Sequence, residues 1–223
     1  MAKAKLVSAR LEIKTMKIKK INNHKPEMSA IREAAKVLGD GGLVVYPTDT
    51  VYGLGANALD ITTIKRVYEL KGRDFSKPTH VVVKDWKMIE SLCYTNQIAK
   101  KLYDKFLPGP LTLILKKRKI VPNILTANLP TLGVRIPSNS VTKCLSNLLP
   151  FPYTTPSANR SGEATPHSVK DVKKVLDISQ VDLILDDGKL TPTLPSTIVD
   201  ISDEALKILR EGPINKRQIE AVL

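Results

Sequence analysis

The sequence predicts an α/β (α+β) fold in which helices flank a large twisted mixed β-sheet. Short apolar runs typical of buried strands alternate with amphipathic helical segments along most of the 223 residues. Some neighbouring strand runs, such as Thr197–Val199 and Ala205–Leu209, are too close together for the crossover that a strictly parallel sheet needs. A chain of this length without a linker-like segment suits one domain. We therefore expect a basic extension over residues 1–12 and a single domain over residues 13–223.

The predicted elements follow from local signals. Apolar positions among lysines from Ile13 to Ile21 indicate an opening strand. Pro26 begins a helix that ends at a glycine cluster, and Leu43–Tyr46 follows as a buried strand. Asp60 is placed to cap the next helix. The remaining predicted elements are strands at His80–Val83, Leu111–Leu115, Gly133–Ile136, Leu183–Leu185, Thr197–Val199 and Ala205–Leu209, and helices at Asp85–Cys93, Thr95–Phe106, between Ser138 and Pro150, Ser168–Leu176 and Asn215–Leu223.

The net charge of the chain is +13, and more than half of it comes from one end. Residues 1–25 contain eight lysines and arginines and a single acid, Glu12. Such an arm can bind a polyphosphate such as RNA. It can equally be a solvated tail leading into an edge strand that lysines protect from unwanted pairing. Composition does not decide between the two.

Cysteine, histidine and hydropathy patterns exclude several classes of protein. Cys93 and Cys144 are far apart, as expected in a reducing compartment, and the three histidines are scattered, so no His/Cys metal site is predicted. The longest uncharged run, Cys144–Asn159, contains three prolines and cannot cross a bilayer as a helix. No apolar secretion signal opens the chain. We expect a cytoplasmic protein that does not associate with membranes.

Two segments in the first half of the chain suit a small anionic ligand. Tyr46–Ala56 follows a strand and combines hydroxyls and a carboxylate with glycines, although a structural turn uses the same residues. Its glycines lie seven residues beyond the strand with no helix start beside them, which argues against a dinucleotide fingerprint. Lys71–Pro78 places three cations around a glycine, which suits a triphosphate. Dipole-matched basic residues at a helix end are the alternative.

Two further segments lie in the second half. Arg135 stands inside an apolar strand, where its five donors need a partner. That partner is either a substrate carboxylate or an internal acid. Thr154–Gly162 carries hydroxyls and an amide that can donate to phosphate or ribose oxygens, or can form an ordinary polar loop. No P-loop, G-x-S-x-G or Cys/His pair is present, so the inventory favours charge neutralisation over covalent catalysis.

Taken together and in order, these segments resemble the YrdC-like family, the threonylcarbamoyl-adenylate synthases. The family motifs K-x-R and S-x-N are present as Lys71/Arg73 and Ser157/Asn159. The resemblance implies a YrdC-like fold around a concave, basic cavity. It extends from about Gly42 to Pro213, and its matching stretches are Tyr46–Ala58, Lys71–Pro78, Phe106–Leu115, Gly133–Pro137, Thr155–Gly162, Pro195–Asp200 and Ile208–Pro213.

The resemblance also implies residue roles. The threonine pocket would consist of Thr48, His80, Arg135, Thr155 and Ser196. The ATP-binding set would consist of Lys71, Arg73, Thr131, Ser157, Asn159, Thr165 and Arg210. His80 follows Lys-Pro-Thr where the family more usually has Lys-Pro-Leu, so the alternative for it is a strand residue whose ring nitrogen is bonded internally.

The implied reaction joins L-threonine, bicarbonate and ATP, carried with Mg²⁺, into threonylcarbamoyl-AMP and pyrophosphate. Its product would pass to the tRNA threonylcarbamoyl-transfer proteins that make N6-threonylcarbamoyladenosine, and tRNA or double-stranded RNA is a further partner to consider. One alternative is a non-catalytic module that binds such RNA. Another is a carbamoyl-adenylate enzyme of the hydrogenase-maturation family, although those proteins are usually far larger and carry zinc-finger modules.

Overall fold

A computed structural model of the chain describes residues 16–203 and 205–223. The predicted extension over residues 1–12 and the start of the predicted opening strand lie outside the described residues. The strands are β1 Lys17–Lys20, β2 Val44–Pro47, β3 Tyr52–Gly55, β4 Val81–Val82, β5 Leu111–Lys116, β6 Thr131–Arg135, β7 Tyr153–Thr154, β8 Leu183–Asp186, β9 Thr197–Asp200 and β10 Lys207–Arg210. The helices are α1 Met28–Gly39, α2 Ile61–Lys71, α3 Trp86–Leu92, α4 Gln97–Phe106, α5 Ser140–Leu148, α6 Val169–Val175 and α7 Lys216–Glu220.

The strands form two mixed sheets, so the predicted mixed architecture flanked by helices is confirmed. One sheet has the order β1-β8-β2-β3 and the other the order β10-β9-β5-β6-β4-β7. The prediction of one large sheet needs a correction, because β3 and β7 end the two sheets and share no continuous ladder. Their pairing is reduced to isolated bridges, Gly53 with Ser157 and Asn57 with Tyr153.

Backbone hydrogen bonds still join the two sheets along this line. The amides of Leu54 and Ala158 donate to Pro156 and Tyr52 at 2.8 Å each, and the Thr154 amide donates to Ala56 at 2.9 Å. Pro152 and Pro156 have no N–H to donate, which interrupts a regular ladder in this segment. We call residues 152–158 the seam segment. It brings the polar residues that follow β7 beside the turn between β2 and β3.

The helices begin and end where local chemistry requires. The Asp60 carboxylate accepts the Thr62 amide at 2.8 Å and caps α2, as predicted. Gly72 ends the same helix with a φ of 53°, a left-handed conformation that glycine adopts without steric cost. This fixes where the helix stops, and therefore the direction in which Lys71 and Arg73 leave it.

Candidate active site

A cavity of about 320 Å³ opens where the seam segment, the β2–β3 turn and the ends of β4, β6 and β9 meet. That volume is of the size that binds small molecules. Eight of the twelve predicted site residues line it, namely Arg73, His80, Arg135, Thr155, Ser157, Thr165, Ser196 and Arg210. Three arginines therefore face one space, and none of the described lining residues is an acid.

Arg135 ends strand β6 and is buried, with its side chain only 8% exposed. Its Nη2 donates to Oδ1 of Asp49 at 2.5 Å. Asp49 belongs to the β2–β3 turn, and its Oδ2 accepts the Ser138 amide at 3.0 Å. The internal acid considered for Arg135 is thus present, and Arg135 lines the cavity at the same time.

The other two arginines are held by carbonyl groups. Nη2 of Arg73 donates to the Pro78 carbonyl at 2.8 Å. Nη2 of Arg210 donates to the Ser196 carbonyl at 2.8 Å and to its hydroxyl at 3.2 Å. Carbonyl oxygens orient a guanidinium group without cancelling its charge. Both arginines can therefore attract a phosphate strongly.

Lys71 takes a different position from Arg73. It is buried, and its Nζ donates to the carbonyls of Ser157 and of Asn159, the latter at 2.6 Å. Its side chain is therefore turned beneath the loop that carries the S-x-N motif. Burial lowers the pKa of Lys71 to about 7, and repulsion from Arg73 contributes to the shift.

The remaining predicted residues lie beside the cavity. The side-chain Nδ2 of Asn159 donates to the Glu163 carbonyl at 2.7 Å and shapes its loop. Thr48 is buried in the β2–β3 turn, where its hydroxyl accepts the Thr50 amide at 3.1 Å. Thr131 begins β6, four residues away from Arg135, and is not among the cavity-lining residues. The ligand-binding roles assigned to these four residues, and to the eight that line the cavity, stay predictions.

The structure adds residues to which the sequence analysis assigned no role. Thr112 is buried in β5 beside Arg135, and its hydroxyl lies 2.9 Å from that of Ser196. Thr50 and Thr193 also line the cavity. Thr112 interrupts the apolar run of its strand, and this was the one available signal, because a hydroxyl in a buried strand needs a partner.

His80 lies against strand β6 where Gly133 has no side chain. A β-carbon on Gly133 would lie 2.5 Å from Cδ2 of His80. No described group hydrogen-bonds to the ring of His80, so the imidazole is available to a ligand in the cavity. Burial lowers the pKa of His80 to about 4, and the nearby Arg210, Arg73 and Arg135 contribute to the shift. Its ring is therefore neutral near pH 7.

The depressed pKa of His80 predicts a pH-dependent contribution to stability. Because the pKa falls from 6.5 to about 4 on folding, the unfolded chain binds more protons than the folded chain between those values. The free energy of unfolding therefore falls as the pH drops through this window, by up to about 3 kcal/mol. Urea titrations of the wild type and of His80→Gln should show a difference that shrinks toward pH 4. A pH-independent difference would contradict this assignment.

Substitution of Gly133 tests the contact with His80. We expect Gly133→Ala to displace the imidazole and to lower the free energy of unfolding by about 1–3 kcal/mol. Gly39→Ala is the matched control, because a β-carbon there meets nothing within 4 Å. Denaturant titration of both variants measures the difference. Equal stabilities would show that His80 can move aside without cost.

No three His, Cys, Asp or Glu residues within 16–203 and 205–223 form a group that could hold a metal ion. None of the helices in the described part of the chain is long and apolar enough to cross a membrane.

The fold and the cavity define an α/β protein whose ligand site combines three guanidinium groups with hydroxyls. The family model Sua5_yciO_yrdC, described as telomere recombination, matches residues 36–212. A protein of Methanocaldococcus jannaschii is 39% identical over 92% of this chain and 97% of its own length. The chain belongs to the Sua5/YciO/YrdC family.

Solved structures agree with this assignment. Pyrococcus abyssi Sua5 complexed with L-threonine has a TM-score of 0.86 and 35% identity, over 94% of this chain and 61% of its own. Escherichia coli YciO has a TM-score of 0.80 and 27% identity, over 92% of this chain and 98% of its own. A Pyrococcus abyssi relative named threonylcarbamoyl-AMP synthase is 37% identical over 86% of this chain. This chain spans 57% of that relative.

Proposed function

We propose that this protein is a threonylcarbamoyl-AMP synthase, a nucleotidyltransferase that serves tRNA modification. The observation that carries the proposal is the cavity itself, where Arg73, Arg135 and Arg210 face one space together with threonine and serine hydroxyls. Non-specific binding to the phosphate backbone of RNA does not require buried hydroxyls or a buried arginine. The family relationship supports the same reading, because one relative bears this name and Sua5 was solved with L-threonine.

The proposed reaction has two steps. The amine of threonine attacks bicarbonate, water leaves, and a carbamate forms. A carbamate oxygen then attacks the α-phosphorus of ATP, and the bond to pyrophosphate breaks. No covalent enzyme intermediate is needed, so the protein contributes positioning and charge stabilisation.

Different residues of the cavity are assigned to threonine and to ATP. Arg135 is the candidate for the threonine carboxylate, because a guanidinium fork matches a carboxylate geometrically. Thr155, Ser196 and neutral His80 offer uncharged polar groups to the rest of threonine. Arg73 and Arg210 stabilise the negative charge that develops on the phosphates. Ser157 and Thr165 offer hydroxyls to phosphate or ribose oxygens. Mg²⁺ would enter as MgATP, since this ion usually binds through the phosphates of the nucleotide.

The product of this reaction is a reactive mixed anhydride that must be consumed quickly. We therefore propose that tRNA threonylcarbamoyl-transfer proteins use it directly, in the cytoplasm. Direct binding of tRNA or double-stranded RNA is a separate proposal. It predicts a binding constant that falls steeply with added salt, whatever the state of the active site.

The proposal is tested by measuring pyrophosphate release from MgATP. Release should require both L-threonine and bicarbonate, and chromatography with labelled bicarbonate should show a threonine-dependent AMP adduct. Equal release without threonine would overturn the proposal. So would salt-sensitive RNA binding by a protein that shows no turnover of ATP under any of these conditions.

A further inference from the structure

Asp49 pairs with Arg135, one of the three arginines of the cavity, although Asp49 is not itself among the lining residues. Its side chain is 14% exposed, and the side chain of its partner Arg135 is 8% exposed. The two residues are 86 positions apart in the sequence and come from different sheets. Their ion pair therefore fixes the β2–β3 turn against the end of β6.

Hydrogen bonds other than the ion pair with Arg135 also position the carboxylate of Asp49. The Thr48 hydroxyl accepts the amides of Thr50 and Val51 at 3.1 and 3.2 Å, which closes the turn around Asp49. One carboxylate oxygen accepts the Ser138 amide at 3.0 Å, which leaves the other oxygen for Arg135. The Thr193 hydroxyl donates to the Asp49 carbonyl at 3.3 Å. The Ser138 contact limits rotation of the carboxylate, and the other contacts fix the backbone from which it extends.

This arrangement decides which edge of the Arg135 guanidinium remains for a ligand. Nη2 is engaged by Asp49, and Nε lies 3.5 Å from the Gly109 carbonyl. No described group bonds to Nη1. The donors that remain available are therefore few and directed, and an acid is already paired with this guanidinium group.

Arg73 and Arg210 differ from Arg135 in this respect. Both are held by carbonyl oxygens, and neither has an ion-pair partner among the described residues. The single cavity thus contains two uncompensated guanidinium groups and one compensated group. A phosphate carries more than one negative charge, so it is attracted most strongly by the two guanidinium groups that have no acidic partner. A carboxylate carries a single charge, and the directed donors that remain on Arg135 are enough to bind it.

We propose that Asp49 is a positioning and specificity-determining residue: it aims Arg135 and makes that part of the cavity prefer the carboxylate of an amino acid over phosphate. The proposal rests on the proposed function for the identity of the amino acid. It predicts that loss of the Asp49 charge turns Arg135 into a third phosphate-attracting group. A purely structural ion pair would affect stability without changing this preference.

The first test is the isosteric substitution Asp49→Asn. We expect the KM for threonine to rise at least about tenfold with little change in the KM for ATP. The reason is that the guanidinium group of Arg135 is no longer held in the orientation that binds the carboxylate. Inhibition by inorganic phosphate should become stronger by at least about fivefold, because Arg135 is no longer compensated. Asp187→Asn is the matched control. Asp187 is also partly buried and accepts a backbone amide, from Asn23 at 2.9 Å, but no described arginine hydrogen-bonds or ion-pairs with it.

The second variant, Asp49→Glu, separates the orientation of Arg135 from the negative charge beside it. It remains informative if Asp49→Asn does not fold. It keeps the charge but moves the carboxylate by one methylene, so the KM for threonine should rise while phosphate inhibition stays at the wild-type level. An unchanged KM for threonine in either folded variant would overturn the positioning role. Unchanged phosphate inhibition in Asp49→Asn would overturn the specificity role.

A measurement without turnover keeps this inference distinct from the proposed function. Inorganic phosphate should raise the melting temperature of Asp49→Asn at lower concentrations than it does for the wild type and for Asp187→Asn. If the wild type releases no pyrophosphate with threonine, the proposed function fails, and this shift still tests the selectivity. Equal phosphate dependence in all three proteins would refute the selectivity even in an active enzyme.

Discussion

Replacement of Lys71 by methionine is expected to lower threonine-dependent pyrophosphate release by about 10²- to 10³-fold, which is the range found when one charge-stabilising donor is removed. The reason is local. Nζ of Lys71 donates to the carbonyls of Ser157 and Asn159, so its loss frees the loop that presents the S-x-N motif. Methionine retains most of the buried apolar length, which limits the effect on folding.

Lys65→Met is the control for this substitution, because Lys65 is exposed on the same helix. It should retain activity close to that of the wild type. Activity of Lys71→Met within threefold of the wild type, with a folded protein, would remove Lys71 from the mechanism.

The depressed pKa of Lys71 provides a second readout. With a pKa of about 7, most of the amine is neutral above that pH in the free protein. A triphosphate bound nearby raises the pKa, so ATP binding near pH 8 should take up as much as about one proton. Calorimetry in buffers of different ionisation enthalpy measures this uptake. The uptake should disappear in Lys71→Met, and its persistence there would assign it to another group.

The second large effect is expected at Arg135. Arg135→Met should abolish measurable saturation by threonine and should lower the free energy of unfolding by as much as about 3 kcal/mol, because Asp49 is left as a partly buried charge without its partner. Threonine kinetics and denaturant titration measure the two effects separately. Arg118→Met is the control, since Arg118 stacks on exposed Tyr94 with 4.5 Å between its Cζ and the ring centroid.

The double variant Arg135→Met with Asp49→Asn separates stability from binding. Removal of both charges should restore much of the stability lost in Arg135→Met, because no unpaired ion remains. Threonine binding should not return. A double variant that binds threonine as the wild type does would exclude Arg135 as the carboxylate ligand.

The sequence was most informative where local chemistry decides the structure. Asp60 and Gly72 mark the two ends of α2, because an N-cap carboxylate and a left-handed glycine act within a few residues. The strand in Leu111–Leu115 was recognisable from its apolar run and is present as part of β5. Strands β3 and β7 were missed. The glycines in Tyr52–Gly55 are typical of turns, and Tyr153–Thr154 is a two-residue strand.

In the candidate site, too, the sequence indicated some residues but not the contacts between distant ones. Short motifs indicated Arg73, Ser157 and Arg210, and the structure places all three at one cavity. No local pattern indicated that Asp49 would meet Arg135, that Thr112 would meet Ser196, or that Lys71 would turn beneath the S-x-N loop.

The sequence by itself determined the family, the mixed α/β class and the polar residue types available for binding. The tertiary structure alone decided which charges are compensated and which still attract an anion. The physical reason is that capping and periodicity act over a few residues. Compensation of a charge instead depends on distance in space and on burial, and the decisive partners here lie some 86 residues apart.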